Sequence, residues 1–510
     1  MGMNLFAAIP EIFVVTMLLI MLLVDAFVSE SKKAINVVLT LVALLGGLFL
    51  QLSIYSPGIV QEAFRNYLTI YADGGSVGGV VGSLDNTLAF RESNAGLFIL
   101  DALAQGTKIF IYLISIIIVL YTQQYISDKK LLKGEFYAIF LFAVLGMLVM
   151  ISANNMLILY VGLELLSLAL YGLVAIERDS IKATEAAMKF FILGALASGL
   201  LLYGISFIYG ATGGALQLST VLGVISKDVS LNNPSLVFGL VFLVSGLVFK
   251  LGLVPFHMWI PDTYEGANLA TTTVIASITK LAAVVFVIRF LVYGLDVLNS
   301  HWSLMLAFVA FFSVFLGNVV AIAQTNIKRM LGYSTVSHMG FVAFGLMTAN
   351  ADGYSSTLFY IITYVITTVA GFGVLIMLSR DNYECEKIDD LKGLNKSHPV
   401  YAGILLLVMF SLAAIPPLVG FYAKFKILQA LVSVGYIRSA VFAVMMSLIG
   451  AFYYLRVVKV MYFDDADSEM IVANTGIISR SVLVLNGLLL LILGILPNGL
   501  MNYCMALMNG

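Results

Sequence analysis

Apolar runs of about twenty residues recur from one end of this chain to the other. Each is long enough to cross about 30 Å of hydrocarbon as a helix. In lipid every backbone N–H and C=O has to be satisfied within the protein, so runs of this kind are helices rather than open strands. Fourteen spans are expected, near residues 6–28, 35–54, 97–121, 134–153, 155–177, 186–210, 236–261, 267–290, 302–324, 327–349, 355–379, 401–434, 437–463 and 477–507. Of the 510 residues 61% are hydrophobic and 11% charged, against about 25% charged in soluble domains. The expected fold class is an all-α polytopic membrane protein. No basic segment with a cleavage site precedes the first run, which reads as a retained span.

The composition also excludes several kinds of function. A net charge of -1 gives no basic surface for nucleic acid. Cys385 and Cys504 form neither a CxxC pair nor a cluster-ligand set, and no glycine-rich nucleotide loop follows a strand. No cofactor and no metal is expected in this chain.

Loop charges orient the chain. With both termini outside, the inner loops hold Lys32, Lys33, Lys129, Lys130, Lys133, Arg178, Lys182, Lys328 and Arg329, and several more beyond Arg380. Only Arg65, Arg91, Lys227, Arg289 and Arg438 remain outside. That bias predicts termini on the outer side of the membrane. The stretch 55–96, rich in Gly, Ser and Asn, is then an outer loop; the acidic DDADSE tract and the charged segment 380–398 face inward.

Six lysines lie within spans: Lys108, Lys189, Lys250, Lys280, Lys424 and Lys426. A charged lysine at the centre of a helix in lipid costs roughly 2.5–3.5 kcal/mol, so these side chains are expected to face protein or water. Glu164 precedes Lys250 by 86 residues, and His338 precedes Lys424 by the same 86. The spacing predicts two copies of a five-helix unit, at 134–290 and 302–463, flanked by three N-terminal helices (1–133) and a C-terminal one (477–510). Five is odd, so the second copy runs upside down. The fourth helix of each unit, the seventh and twelfth spans, is interrupted by proline, in LGLVPFH and in AAIPPLVGF. Such breaks free backbone carbonyls, and paired breaks in two halves point to an ion site near the midplane.

A poorly hydrated site disfavours the charged form of a lysine, and a carboxylate opposes that effect. Glu164 is the expected opponent of Lys250. Closed, the pair keeps both charges; separated, the lysine can release a proton. Lys280 and Lys424 are candidates for onward stations. The remaining groups have plainer readings beside functional ones. Lys189 follows Glu185 by four residues, the spacing of a simple helical ion pair. Lys108 and Asp101 are expected near the outer surface, with Lys108 snorkelling. His257 is placed to bond freed carbonyls, His338 to pack, and Lys426 and Arg456 to support helix ends or neighbours.

The stretches at 134–175, 185–199, FKLGLVPFHMWIPDTYEGA (249–267), NIKRMLGYSTVSHMGF (326–341), IPPLVGFYAKF (415–425) and YYLRVVKVMYF (453–463) carry a resemblance along nearly the whole chain. It resembles the antiporter-like subunit N family of the proton-pumping NADH:quinone oxidoreductase, respiratory complex I. The resemblance implies fourteen helices, two inverted units and proton translocation along a hydrophilic axis. Carried over by position, Glu164, Lys250, Lys280 and Lys424 match the family's main sites, with Lys189, His257 and His338 secondary. It further implies other membrane subunits as partners, FMN and iron–sulfur clusters in partner subunits, NADH and quinone used by the whole complex, and a bacterial plasma membrane. Lys424 speaks against the related M subunit, which has glutamate there; the L subunit carries a long C-terminal extension. A subunit of a multi-subunit sodium/proton antiporter is the alternative.

Overall fold

A computed structural model describes residues 5–28, 33–55, 96–129, 131, 134–228, 233–379, 383–465 and 476–509. The expected outer loop 55–96 and most of the DDADSE tract lie outside the described residues. Among those described there are helices and isolated β-bridges only, and twelve helices are long and apolar enough to cross a membrane. The protein is a multi-pass membrane protein.

The N-terminal helices are α1 (Ile9–Phe27), α2 (Ile35–Tyr55) and α3 (Ala102–Asp128). There follow α4 (Glu135–Ser152), α5 (Met156–Val174), α6 (Ile181–Ala211), a short α7 (Leu218–Asp228), and the broken pair α8 (Pro234–Leu251) and α9 (Trp259–Gly266). Next come α10 (Leu269–Ala276), α11 (Ile278–Ile288), α12 (Asn299–Ile322), α13 (Ile327–Leu346) and α14 (Ala351–Leu378). The chain then folds α15 (Leu394–Ser397), a second broken pair α16 (Pro399–Leu412) and α17 (Val419–Ser433), then α18 (Ile437–Phe463), α19 (Ile477–Ile495) and α20 (Asn498–Asn509).

Helix starts are fixed locally by side-chain caps. Asn155, Asn268, Asn326 and Asn350 each accept a backbone N–H of the first turn, at 2.9, 2.8, 3.0 and 2.8 Å. Each such bond satisfies a donor that the helix leaves free. The α10–α11 segment and, from Gly353 onward, α14 are buried throughout, so they form the centre around which the other helices pack. Glycine sets the closest approaches. A Cβ at Gly146 on α4 would lie 2.6 Å from the backbone nitrogen of Leu166 on α5, so only glycine lets these two helices touch backbone to backbone.

Several expectations differ from what forms. The eighth span is not one helix: Ser277, at φ -115 and ψ -93, separates α10 from α11, and Arg289–Gly294 winds on as a π-helix. The fourteenth is two helices, because Pro497 cannot supply the N–H that would continue α19. The short α7 was not expected. Lys108 does not snorkel; it is fully buried and forms an ion pair with Glu11 of α1. Asp101 and Arg289 are buried as well. They pair in the interior, with Arg289 Nη2 donating to Asp101 Oδ1 at 2.6 Å and Nε to the Ile151 carbonyl at 3.1 Å. Asp101 also caps α3, accepting from the Ala104 N–H at 2.8 Å. Both pairs link groups far apart in sequence, which is why neither showed at helical spacing.

The segment after residue 382 is not a loose surface stretch. Ile327 N–H donates to the Glu386 carbonyl at 2.7 Å and Ile388 N–H to the Thr325 carbonyl at 3.0 Å, so it is stitched to the start of α13.

Candidate functional site

The two broken helices share a construction. In the first, α8 ends at Leu251 and Gly252 turns left-handed at φ 80. Gly252 and Leu253 N–H both return to the Val248 carbonyl, at 2.9 and 3.0 Å. Two further freed carbonyls are taken by side chains: Phe249 O accepts from Trp259 Nε1 at 3.0 Å, and Leu251 O accepts from Lys280 Nζ at 3.1 Å. In the second, α16 ends at Leu412 and the left-handed position is Ala414, at φ 61. Ile415 N–H returns to the Phe410 carbonyl at 2.9 Å, and Leu412 O accepts from Lys424 Nζ at 3.2 Å. At each break the terminal carbonyl of the first half-helix is therefore bonded by a buried lysine.

The lysines do not correspond as their spacing suggests. Lys250 precedes its break, whereas Lys424 follows its own, on α17. By what it binds, Lys424 matches Lys280. The shared 86-residue interval does not place Lys250 and Lys424 in equivalent positions, because the interval counts chain length and not the position of the break.

Glu164 and Lys250 face the same part of the bundle without forming an ion pair among the described residues. Lys250 Nζ donates to Ser167 Oγ at 2.7 Å, and Ser167 in turn donates to the Leu163 carbonyl at 2.7 Å. Glu164 instead accepts from Ser198 Oγ of α6. Glu164 and Ser167 are three residues apart on α5 and so occupy one face. The carboxylate still acts electrostatically on Lys250. This is the separated arrangement of the pair, with a serine on each partner. Ser167 was legible as the serine of ELLS, three residues after Glu164 at helical spacing; Ser198 was not, since it comes from another helix.

Lys280 is enclosed, 1% exposed, and its Nζ lies 4.7 Å from the centre of the Trp259 ring. Lys424 also donates to Ser447 Oγ at 2.9 Å and lies 5.1 Å from the centre of the Phe341 ring. Both ammonium groups rest on aromatic faces, which attract cations.

His338 is not a simple packing residue. Its Nδ1 lies 2.7 Å from the Tyr360 hydroxyl and its Nε2 3.0 Å from the Tyr454 hydroxyl. Tyr454 reaches Ser334 at 2.5 Å, and Thr335 meets the Tyr364 hydroxyl at 2.9 Å. A ring bonded at both nitrogens can take a proton on one side and release it on the other. His257 behaves differently. The Phe249 and Leu251 carbonyls go to Trp259 and Lys280, and the ring of His257 meets the Pro255 backbone instead, with its Nδ1 buried.

Lys189 pairs with Glu185 at 2.8 Å as its spacing predicted, and also with Asp262 of α9 at 3.0 Å. The other oxygen of Asp262 accepts from Arg329 at 2.8 Å, and Glu265 accepts from Arg329 at 3.0 Å. Lys328, 1% exposed, reaches Glu384 at 3.3 Å, Glu386 at 3.2 Å and the Ala267 carbonyl at 3.1 Å. Lys189 thus belongs to a charge network joining α6, α9 and α13 at the lysine-rich end, and not to the interior row. Arg456 supports a helix end as expected, donating to the Ile322 and Gln324 carbonyls at 2.8 and 2.5 Å. Lys426 reaches Gln429 at 3.1 Å and lies 5.7 Å from the centre of the Tyr422 ring.

Residues 153–479 match the family described as NADH:quinone oxidoreductase/Mrp antiporter, TM. NADH-quinone oxidoreductase subunit N of Laribacter hongkongensis is 48% identical, covering 99% of this chain and 97% of its own. That of Thiobacillus denitrificans is 47% identical, covering 98% and 96%. A chain of respiratory complex I from Thermus thermophilus superposes with a TM-score of 0.77 at 28% identity, covering 97% of this chain and 98% of its own. The relatives match end to end and carry the complex I subunit name, which favours that reading over the separate antiporter. The chain belongs to the NADH-quinone oxidoreductase subunit N family.

Proposed function

We propose that this chain is a proton-translocating membrane subunit of an NADH:quinone oxidoreductase. Its fourteen crossings are the twelve long apolar helices together with α13 and the broken pair α16–α17. Residues 134–290 and 302–463 form two inverted five-helix units. Residues 1–133 and 477–510 flank them, and both termini lie on the outer side of a bacterial inner membrane. FMN, iron–sulfur clusters, NADH and quinone belong to the partner subunits of the complex. This chain moves protons without a redox centre of its own.

The observation that carries the reading is the pair of lysines, Lys280 and Lys424, each bonded to the terminal carbonyl of a broken helix. The negative end of a half-helix dipole steadies a cation there without a carboxylate. Glu164 and Lys250 form the adjustable entry pair, Lys280 passes charge inward, and Lys424 receives it in the second unit. His338 assists through its two hydroxyl partners. His257, half-buried beside the first break, and Lys189, at the lysine-rich end, are secondary stations. The test is proton pumping by vesicles containing the assembled complex with Lys280→Ala or Lys424→Ala. Normal pumping in both would overturn the reading.

A further inference from the structure

We propose that the Tyr264 hydroxyl is the relay that hands protons from the first five-helix unit into the hydroxyl network of the second; this rests on the function proposed above. Tyr264 sits on α9, the far half of the first broken helix, and is fully buried with its hydroxyl unpartnered among the described residues. A phenylalanine would fill the same space without leaving a polar atom unsatisfied. The hydroxyl reaches out of its own unit. Helix α9 packs closely on α13, where a Cβ at Gly332 would lie 3.2 Å from Pro261 Cα. Tyr264 Oη lies beside Thr335 and Tyr364, at the margin of a hydrogen bond to Thr335. Its ring meets Phe372 edge-on, with centroids 6.3 Å apart.

Phe372 is a wall of a small cavity that Ser334, Thr335 and Tyr364 also line. Tyr364 lines a second cavity as well, shared with His338, Tyr360 and Ser411. Each is about the size of one water and polar on one side, the condition for holding one. From Tyr264 the trail runs through Thr335 and Tyr364, bonded at 2.9 Å, to the cavity beside His338. Leu412 and Ala423, which flank Lys424, form its end.

The chemistry is a chain of exchanges. Each hydroxyl oxygen accepts a proton on a lone pair as its own O–H bond breaks toward the next acceptor, so no oxygen keeps a net charge. His338 takes the proton on one nitrogen and releases the other. A water in the second cavity, which both groups line, closes the gap between Tyr364 and His338.

The test uses the whole complex in vesicles, comparing Tyr264→Phe, Thr335→Val and Lys424→Ala for the rate of NADH-driven proton pumping per assembled complex and for the amount of complex assembled. The expected result is a lower pumping rate per complex in Tyr264→Phe and Thr335→Val at wild-type assembly. A merely structural tyrosine would lower the amount of complex and leave the rate per complex intact, which would overturn the relay. If Tyr264→Phe fails to assemble, Thr335→Val decides by the same rate. A normal rate per complex in both, with Lys424→Ala defective, removes the relay and leaves the proposed function standing. A normal rate in all three removes both.

Discussion

Lys250 Nζ donates to Ser167 Oγ, 2.7 Å away, while Glu164, one turn earlier on the same helix, is held by Ser198. Two serines thus occupy the positions that a direct ion pair between lysine and glutamate would take. The two groups still act on each other electrostatically, and protonation of either partner changes how strongly.

Lys250→Arg is therefore expected to fail nearly as badly as Lys250→Ala. Arginine keeps the charge and the attraction to Glu164 but is not deprotonated in proteins. Proton pumping normalised to assembled complex checks this; near-normal pumping by the arginine variant would reduce Lys250 to a structural ion-pair partner.

Glu164→Ala should depress pumping and NADH-driven quinone reduction together, since a stalled proton step stalls a tightly coupled machine. Ser198→Ala, which removes the competing donor but keeps the carboxylate, is expected to retain most activity. Measuring both rates in one membrane preparation separates the cases, and full pumping by assembled Glu164→Ala would take the residue off the path.

The buried pair of Glu11 and Lys108 yields a structural prediction. Removing one partner leaves an uncompensated charge, at a cost of about 3–5 kcal/mol. Lys108→Met alone should lower the amount of assembled complex, and Lys108→Met with Glu11→Leu should restore it. The assembled fraction on a native gel reads this directly, and equal yields for the single and double variants would rule the pairing out.

Glu177, in the turn after α5, gives a pH signature. Burial raises its carboxyl above the ordinary range and nearby Glu384 adds to the shift, while Lys129, Lys328 and Asn268 oppose it. The folded state then binds the proton more tightly than the unfolded chain, so stability falls as pH rises from the ordinary value through the raised one. Glu177→Gln should melt at higher temperature than the parent near neutral pH. The advantage should vanish on acidification below the ordinary carboxylate range; an advantage unchanged with pH would exclude titration at Glu177.

What the sequence made legible was whatever one helix determines. The runs located the spans, the prolines located both breaks, and Glu185 and Lys189 declared themselves by a spacing of four. The Lys108 reading failed, and the Asp101–Arg289 pair went unseen, because the partners Glu11 and Arg289 come from distant parts of the chain. The roles of Ser198, Tyr360 and Tyr454 were hidden for the same reason. His338 stood out only as a histidine within a span, and its two tyrosine partners lie 22 and 116 residues further along the chain.

The lysine-to-carbonyl bonds at the two breaks make the three interior lysines unequal in how they can be controlled. A peptide carbonyl cannot take up or lose a proton, so the bias it exerts on Lys280 and Lys424 is constant from one turnover to the next. Of the three, Lys250 is the one that faces a carboxylate, whose charge can be changed, and that group, Glu164, is half-buried and not sealed inside the bundle. A signal arriving from a neighbouring subunit has one adjustable control to act on, and the two fixed lysines downstream respond to whatever it sets.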